Sequence, residues 1–229
     1  DLSVSSLALL ADAGHNLSDV LGLLISWLAL WLSQKQPTKQ RTYGYKSSSI
    51  LAALANAVIL LIAIGGIAVE AIQRFANPEP VSSWTVIIVA AVGIVINGLT
   101  AVMFAKDQKG DLNIRGAFLH MAADAGVSLG VVIAGFISLF TGWTWLDPAI
   151  SLLIAIVILI STWDLLHKSV NLALNAVPEG VDIDKIKKVI LADETVSDVH
   201  DLHIWGMSTT EVAMTVHVVR TTLAYNNEF

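Results

Sequence analysis

Long stretches without charged residues alternate along this chain with short polar connections. Each stretch, with its flanks, supplies the ~20 residues that a bilayer-spanning helix needs. None has the polar face, repeating every 3.6 residues, that marks a surface helix of a soluble protein. Residues 20–34, 47–69, 80–105, 125–146 and 148–163 contain no Asp, Glu, Lys or Arg. The pattern therefore predicts five membrane spans, at about 6–33, 49–73, 84–105, 113–140 and 148–167.

The hydrophobic pattern changes after the fifth span. Val181 to Leu191 has an apolar face at helical spacing. Val199 to Trp205 and Val212 to Val219 have the alternating or β-branched pattern of strands, and Ser208 to Thr210 forms the turn between them. These elements predict a small α/β domain that is too short to bury much core alone and therefore pairs with another copy.

We accordingly divide the chain into a transmembrane domain, 1–167, and a cytoplasmic domain, 168–229. The connection at 35–46 contains four basic residues and the connection at 106–115 contains three, whereas the intervening connections contain one or none. Basic connections lie on the cytoplasmic side. The chain thus begins outside, crosses five times and ends inside, and we expect one more helix before residue 1.

Composition agrees with a multi-pass membrane protein. Hydrophobic residues make up 55% of the chain and charged residues only 14%, against about a quarter charged in soluble proteins. The chain contains no cysteine, which excludes disulfides and thiolate metal sites. We expect an integral protein of a bacterial cytoplasmic membrane, with no nucleic-acid partner.

Two identical pairs of ionisable residues lie inside the predicted spans. His15 and Asp19 are four residues apart in the first span, and His120 and Asp124 repeat this spacing in the fourth. Residues at i and i+4 share one face of a helix. Because the two spans run in opposite directions and the pairs lie at similar depths, the four side chains can converge.

Two imidazoles and two carboxylates form a tetrahedral ligand set that suits Zn²⁺. Their two negative charges balance the ion, which lowers the cost of holding it in a low dielectric. Either pair alone is also compatible with helix packing or capping, but two matched pairs favour a metal site. Co²⁺, Cd²⁺ and Fe²⁺ are alternatives. We expect Asn56 and Asn97 to form interhelical hydrogen bonds instead of binding metal.

The predicted strands carry further candidate ligands. His200 and His217 are candidates for a cytoplasmic metal site, although exposed histidines on strands are equally compatible with no ligand role. His203 and Asp201 are weaker candidates. Small residues at Gly126 and Gly130 are compatible with close helix packing or with a dimer contact.

Two motifs are distinctive: the run Leu7 to Asp19, which contains Ala11-Asp12-Ala13-Gly14-His15-Asn16-Leu17-Ser18-Asp19, and the later His120-Met121-Ala122-Ala123-Asp124. Together they resemble the cation diffusion facilitator family of zinc transporters. Tyr43-Gly44-Tyr45, Leu146-Asp147-Pro148 and His200-Asp201-Leu202-His203-Ile204-Trp205 are also similar to that family. The resemblance covers essentially the whole chain.

The resemblance implies six transmembrane helices, of which five are present here, and a cytoplasmic ferredoxin-like domain in a homodimer that exports metal in exchange for protons. It implies that His15, Asp19, His120 and Asp124 form the transport site. It also implies a cytoplasmic zinc site containing His200 and His217, with zinc as transported substrate and candidate regulator and with further ligands beyond Phe229. No organic cofactor is expected.

Two other functions fit the sequence less well. An intramembrane metallohydrolase would need a general base, as in H-E-x-x-H, which is absent around His15. A membrane metal sensor would need an output domain, and none is recognisable. The sequence therefore favours a transporter, not an enzyme.

Overall fold

The computed structural model describes residues 22–76, 84–143 and 145–221. In these residues, a short apolar helix and four long helices are followed by a further short helix and a hairpin of two strands. The described part of α1 is Gly22–Ser33. The remaining elements are α2 (Ser48–Ala76), α3 (Trp84–Phe104), α4 (Leu112–Thr141), α5 (Leu146–Ala173), α6 (Ile183–Leu191), β1 (Val196–Gly206) and β2 (Val212–Arg220).

The membrane-length helices lie where the apolar stretches predict them. Within the described residues, α2, α4 and α5 each contain a span long and apolar enough to cross a bilayer, and α1 and α3 contribute shorter apolar stretches. α5 continues to Ala173, past the predicted end of the fifth span near residue 167. The connection at 77–83 and the first part of the first predicted span lie outside the described residues.

The helices pack as a bundle in which α2 lies mainly against α5, and α3 against α4. α4 also contacts α2 and α5, so it lies at the centre of the described bundle. Ala57, Leu60 and Leu165 form one buried cluster. Large apolar side chains such as Ile62 and Ile160 remain about two-thirds exposed, at 70% and 67%, as expected of surfaces that face lipid.

Small residues set the distance between α4 and α5. A Cβ atom added at Gly130 would lie 2.7 Å from Cγ2 of Ile150 and 3.1 Å from Cδ1 of Ile154. At Gly126 the corresponding distance to Cγ2 of Ile154 is 3.4 Å. The interpretation as helix packing within one chain is therefore confirmed for this pair of glycines.

The cytoplasmic elements agree with the predicted helix, strands and turn. Asp182 caps α6 by accepting a hydrogen bond from the Lys185 amide. β1 and β2 pair antiparallel, with β-bulges between Val196 and Asp198 and between His200 and His203. α6 packs against β1, and β1 also contacts the end of α5.

The hairpin turn contacts the cytoplasmic ends of the transmembrane helices. The amide of Thr209 donates a hydrogen bond to Oγ of Ser49 at the start of α2, with a separation of 3.1 Å. Glu211 forms an ion pair with Lys46 just before α2. Nδ2 of Asn113 in α4 donates to the Ser49 carbonyl. The turn, α2 and α4 are thus joined at one junction.

Candidate metal centre

His120 and Asp124 lie on one face of α4, as their spacing predicts. Nε2 of His120 is 3.5 Å from Oδ2 of Asp124. The side chains are only 16% and 13% exposed. An imidazole and a carboxylate so close together, and so far removed from water, can bind one cation through one nitrogen and one oxygen atom.

The pair lies well inside the membrane-length part of α4. Counting from Leu112, His120 is eight residues and Asp124 twelve residues along the helix, or roughly 12 and 18 Å at 1.5 Å per residue. Ala123, between them, packs in a buried cluster with Ile64 of α2 and Ile158 of α5. The packing of three helices therefore fixes the position of the pair.

His15 and Asp19 lie outside the described residues, so their convergence on this pair stays a prediction. The first described residues of α1 do lie near His120. Gly22 and Leu23 of α1 line a small cavity together with His120 of α4. Asp19 precedes Gly22 by three positions in the sequence.

A second cluster of metal-binding side chains lies on the cytoplasmic hairpin. His200 and His217 occupy directly paired positions of β1 and β2, and their rings meet edge to face with centroids 5.3 Å apart. Oδ2 of Asp201 is 3.3 Å from Nδ1 of His200 and 3.1 Å from Nδ1 of His217. One ligand atom from each of the three lies within 4.8 Å of the others.

The β-bulge in β1 explains why Asp201 joins this cluster. In a regular strand, adjacent residues point to opposite faces, so His200 and Asp201 would separate. Here Asp201 has φ of 51°, in the left-handed region, at the register shift after His200. A bulge redirects a side chain in this way. The alternating pattern alone contains no signal for it, which is why sequence reasoning ranked Asp201 low.

The local charges favour an ionised carboxylate in the cluster. A hydrogen bond from His200 and the charges of His200 and His217 lower the pKa of Asp201 below its ordinary value. His203 does not join the cluster. It pairs with Thr215 in the sheet and lines a separate cavity beside Ile183 of α6. The three clustered side chains are exposed, so a cation can reach them from water.

Residues 2–172 match the family described as the cation efflux transmembrane domain. The chain belongs to the cation efflux family. Residues 178–224 match the cytoplasmic domain of cation efflux proteins. The predicted resemblance to cation diffusion facilitators is therefore confirmed, and so is the fold of a helical transmembrane domain followed by a cytoplasmic dimerisation domain.

Named relatives of this cation efflux protein cover nearly the whole chain. The chain is 38% identical over 217 residues to the cadmium, cobalt and zinc/H⁺-K⁺ antiporter of Bacillus subtilis. That alignment covers 94% of this chain and 70% of the antiporter. The chain is 40% identical over 217 residues to the metal cation efflux system protein CzcD of Cupriavidus metallidurans, covering 95% and 69%. It is 39% identical over 215 residues to the zinc transporter ZitB of Escherichia coli, covering 93% and 68%.

These matches confirm the broad class of the protein. The family and the relatives are metal cation efflux transporters, not enzymes. The cation efflux protein is a multi-pass membrane protein with a C-terminal cytoplasmic domain. A membrane-spanning helix that holds a His–Asp pair fits this class.

Proposed function

We propose that the chain exports divalent metal cations, chiefly Zn²⁺, from the cytoplasm in exchange for protons. The transport site would consist of His15, Asp19, His120 and Asp124. The observation that carries this proposal is the nearly buried His120–Asp124 pair, with 3.5 Å between Nε2 and Oδ2, inside a helix long enough to span the membrane. Ionisable groups at such depth are costly and are characteristic of ion pathways.

The described part of α1 supports the predicted convergence of the two pairs. Gly22 shares a cavity wall with His120, and Asp19 is three residues earlier in the chain. Three residues correspond to less than one turn of helix, or roughly 4.5 Å of rise. We propose that the Asp19 carboxylate comes close enough to the His120–Asp124 pair to bind the same cation.

The chemistry of the ligand set supports zinc as the principal substrate. Two imidazoles and two carboxylates satisfy the tetrahedral preference of Zn²⁺, and the complex has no net charge. Mg²⁺ and Ca²⁺ prefer more oxygen ligands and retained water. One relative is named for cadmium, cobalt and zinc and another for zinc alone, so Cd²⁺ and Co²⁺ are the expected secondary substrates.

Proton coupling follows from competition for the same atoms. Metal ligands must be deprotonated, so cation binding releases protons and acidification releases the cation. An imidazole in water titrates at about pH 6.5, close to the range in which proton gradients act. One relative is named as an antiporter that uses H⁺. We propose that cytoplasmic loading displaces protons and that protonation on the far side releases the metal.

The cytoplasmic cluster is proposed as a second zinc site with a regulatory role. His200, Asp201 and His217 supply two nitrogen ligands and one carboxylate within 4.8 Å of one another. The surrounding domain matches the cytoplasmic domain family of cation efflux proteins, and we propose that two copies associate through it. Zinc bound here would stabilise the paired strands and so the dimer.

Zinc flux into sealed proteoliposomes tests the proposed function. An imposed proton gradient should drive Zn²⁺ accumulation, and Asp124→Ala should reduce the initial rate at least about a hundredfold because it removes one of four ligands and the charge balance. Asp107→Asn is the matched control, since Asp107 is an exposed carboxylate at the cytoplasmic surface. Undiminished flux through Asp124→Ala would contradict the site, and zinc binding without flux would favour a sensor.

A further inference from the structure

A small cavity lies on the cytoplasmic side of His120, between α1, α2 and α4. It has a volume of about 30 Å³, and its walls include Gly22, Ser26, Asn56, Gly116 and His120. Gly116 is one helical turn closer than His120 to the start of α4. Asn56 and His120 are each eight residues from the cytoplasmic start of their helices. The cavity therefore adjoins the proposed transport site on the side from which a cytoplasmic cation arrives.

The Asn56 side chain is part of the wall of this cavity. The side chain is buried, with 7% of the residue exposed. Its Nδ2 atom donates a hydrogen bond to Oγ of Ser26 at 2.5 Å, which confirms the predicted interhelical hydrogen bond. Oδ1 of Asn56 has no hydrogen-bond partner among the described residues. A Cβ atom added at Gly22 would lie 3.6 Å from Oδ1.

An unpaired amide oxygen is costly inside an apolar bundle. Leaving such an acceptor unsatisfied costs about 1–3 kcal/mol, and native proteins rarely leave one without a reason. The hydrogen bond to Ser26 gives the Nδ2 group a role in helix packing, but it leaves the oxygen of the same amide without one. The residues at Gly22 and Gly116 keep space open beside it, where a larger side chain would narrow the cavity.

We propose that Oδ1 of Asn56 is an additional oxygen ligand that binds the partly dehydrated cation just before it reaches His120 and its partners. This inference rests on the proposed function and names a binding position that precedes the four-ligand site. It departs from the expectation from sequence that Asn56 forms an interhelical hydrogen bond instead of binding metal. The hydrogen bond from Nδ2 to Ser26 makes Ser26 a positioning residue, because it fixes the plane of the amide, whose oxygen has no hydrogen-bond partner among the described residues. The space is large enough for one water molecule or ion.

Oxygen is a suitable ligand at this step. A carbonyl oxygen can replace one water of the hydration shell without adding a charge, so the cation is held only weakly and can move on. A carboxylate here would bind more tightly and would slow the transfer. The neutral amide therefore lowers the barrier to dehydration without binding the cation so tightly that its release becomes slow.

The test is Zn²⁺ uptake by the full chain in proteoliposomes over a range of zinc concentrations. Asn56→Leu, which keeps the size but removes the oxygen, should raise KM about tenfold while kcat changes less than about twofold. Asn56→Asp should lower KM and kcat together, because it binds more tightly and releases more slowly. Asn56→Cys should shift the preference toward Cd²⁺, since a thiolate favours softer ions.

Asn113 provides a matched control. It is also buried, and its Oδ1 also has no partner among the described residues, but it is absent from the walls of the cavity beside His120. Asn113→Leu should leave KM and the ratio of Cd²⁺ to Zn²⁺ uptake unchanged. The amount of folded protein, measured by size-exclusion chromatography, corrects kcat for losses in folding.

The outcomes separate this inference from the proposed function. If Asn56→Leu and Asn56→Asp leave KM unchanged and the Cd²⁺ to Zn²⁺ ratio of Asn56→Cys equals that of the wild type, Asn56 is only structural and the inference is wrong. That result would leave the proposed function intact as long as Asp124→Ala abolishes flux. If Asp124→Ala has no effect on zinc flux, both the inference about Asn56 and the proposed function are wrong. Opposite KM changes in Asn56→Leu and Asn56→Asp support the inference.

Discussion

At the scale of single residues, the two candidate metal sites arise from different kinds of spacing. His120 and Asp124 meet because residues four apart share a helix face. His200 and His217 meet because antiparallel pairing places them opposite one another, and Asp201 joins them through a β-bulge. The first arrangement is local in sequence. The second depends on residues 16 and 17 positions apart and on an irregularity of the strand.

We predict that Asp201 contributes to zinc binding at the cytoplasmic cluster. In a chain that carries Asp124→Ala, so that the membrane site is disabled, isothermal titration with Zn²⁺ should report the cytoplasmic cluster. Adding Asp201→Ala should weaken the affinity about tenfold or more, because one of three ligands is lost. Zinc should also raise the melting temperature of the Asp124→Ala chain, and less so after the second substitution.

His203→Ala is the control for this prediction. His203 is a histidine of the same strand, but it lies beside α6 and away from the cluster. Its removal should change zinc affinity less than about twofold. Equal losses from Asp201→Ala and His203→Ala would mean that zinc is bound elsewhere on the hairpin.

At the scale of secondary-structure elements, the contact between α4 and α5 depends on glycine. Gly130 allows the α4 backbone to approach Ile150, and Gly126 approaches Ile154 more loosely. α4 carries His120 and Asp124, so the position of the metal pair depends on this packing. Close contact between backbones is a common source of helix association in membranes, where water does not drive helices together.

Gly130→Ala should therefore destabilise the bundle. The new Cβ would lie 2.7 Å from Cγ2 of Ile150, so the Ile150 side chain or the two helices must shift, at a cost of about 1–3 kcal/mol. Gly65→Ala is the matched control, because a Cβ at Gly65 has no neighbour within 4 Å among the described residues. Unfolding in mixed micelles should separate the two variants. Equal stabilities would show that the bundle accommodates the methyl group without strain.

At the scale of the whole molecule, the cytoplasmic hairpin is tied to the membrane domain near the start of α2. Thr209 donates to Ser49, and Glu211 pairs with Lys46. Gly206, at the end of β1, lies so close to α5 that an added Cβ would be 2.7 Å from Cδ2 of Leu172. The strands that carry the histidine cluster and the helix that carries Asn56 are therefore mechanically connected.

A charge exchange tests this connection. Lys46→Glu and Glu211→Lys each place like charges together and should increase amide hydrogen exchange in residues 207–211. The double variant restores opposite charges and should recover most of the protection. The expected effect is small, up to about 1 kcal/mol, because the pair is partly exposed. If the double variant exchanges as fast as either single one, the ion pair does not hold the turn.

Most of the helical architecture could be predicted from the sequence. A membrane span needs only a long apolar stretch, and the Val181 to Leu191 region carries its own amphipathic pattern, so neither requires knowledge of distant residues. α5 ends later than predicted because its last turns contain both charged and apolar residues. The sequence therefore shows no clear signal for the end of this helix. Asp164 there pairs with Arg115 of α4, and Lys168 pairs with Glu179 beyond the helix.

The sequence by itself determined the spans of α2 to α5, the hairpin and the shared face of His120 and Asp124, because helix and strand periods act over a few residues. Tertiary structure alone decided that Asp201 turns toward His217, that Asn56 faces a cavity beside His120, and that the hairpin turn contacts Ser49. Each of these contacts joins segments that are far apart in the sequence. Whether such a contact is favourable depends on both segments, so it cannot be deduced from any one stretch of the chain.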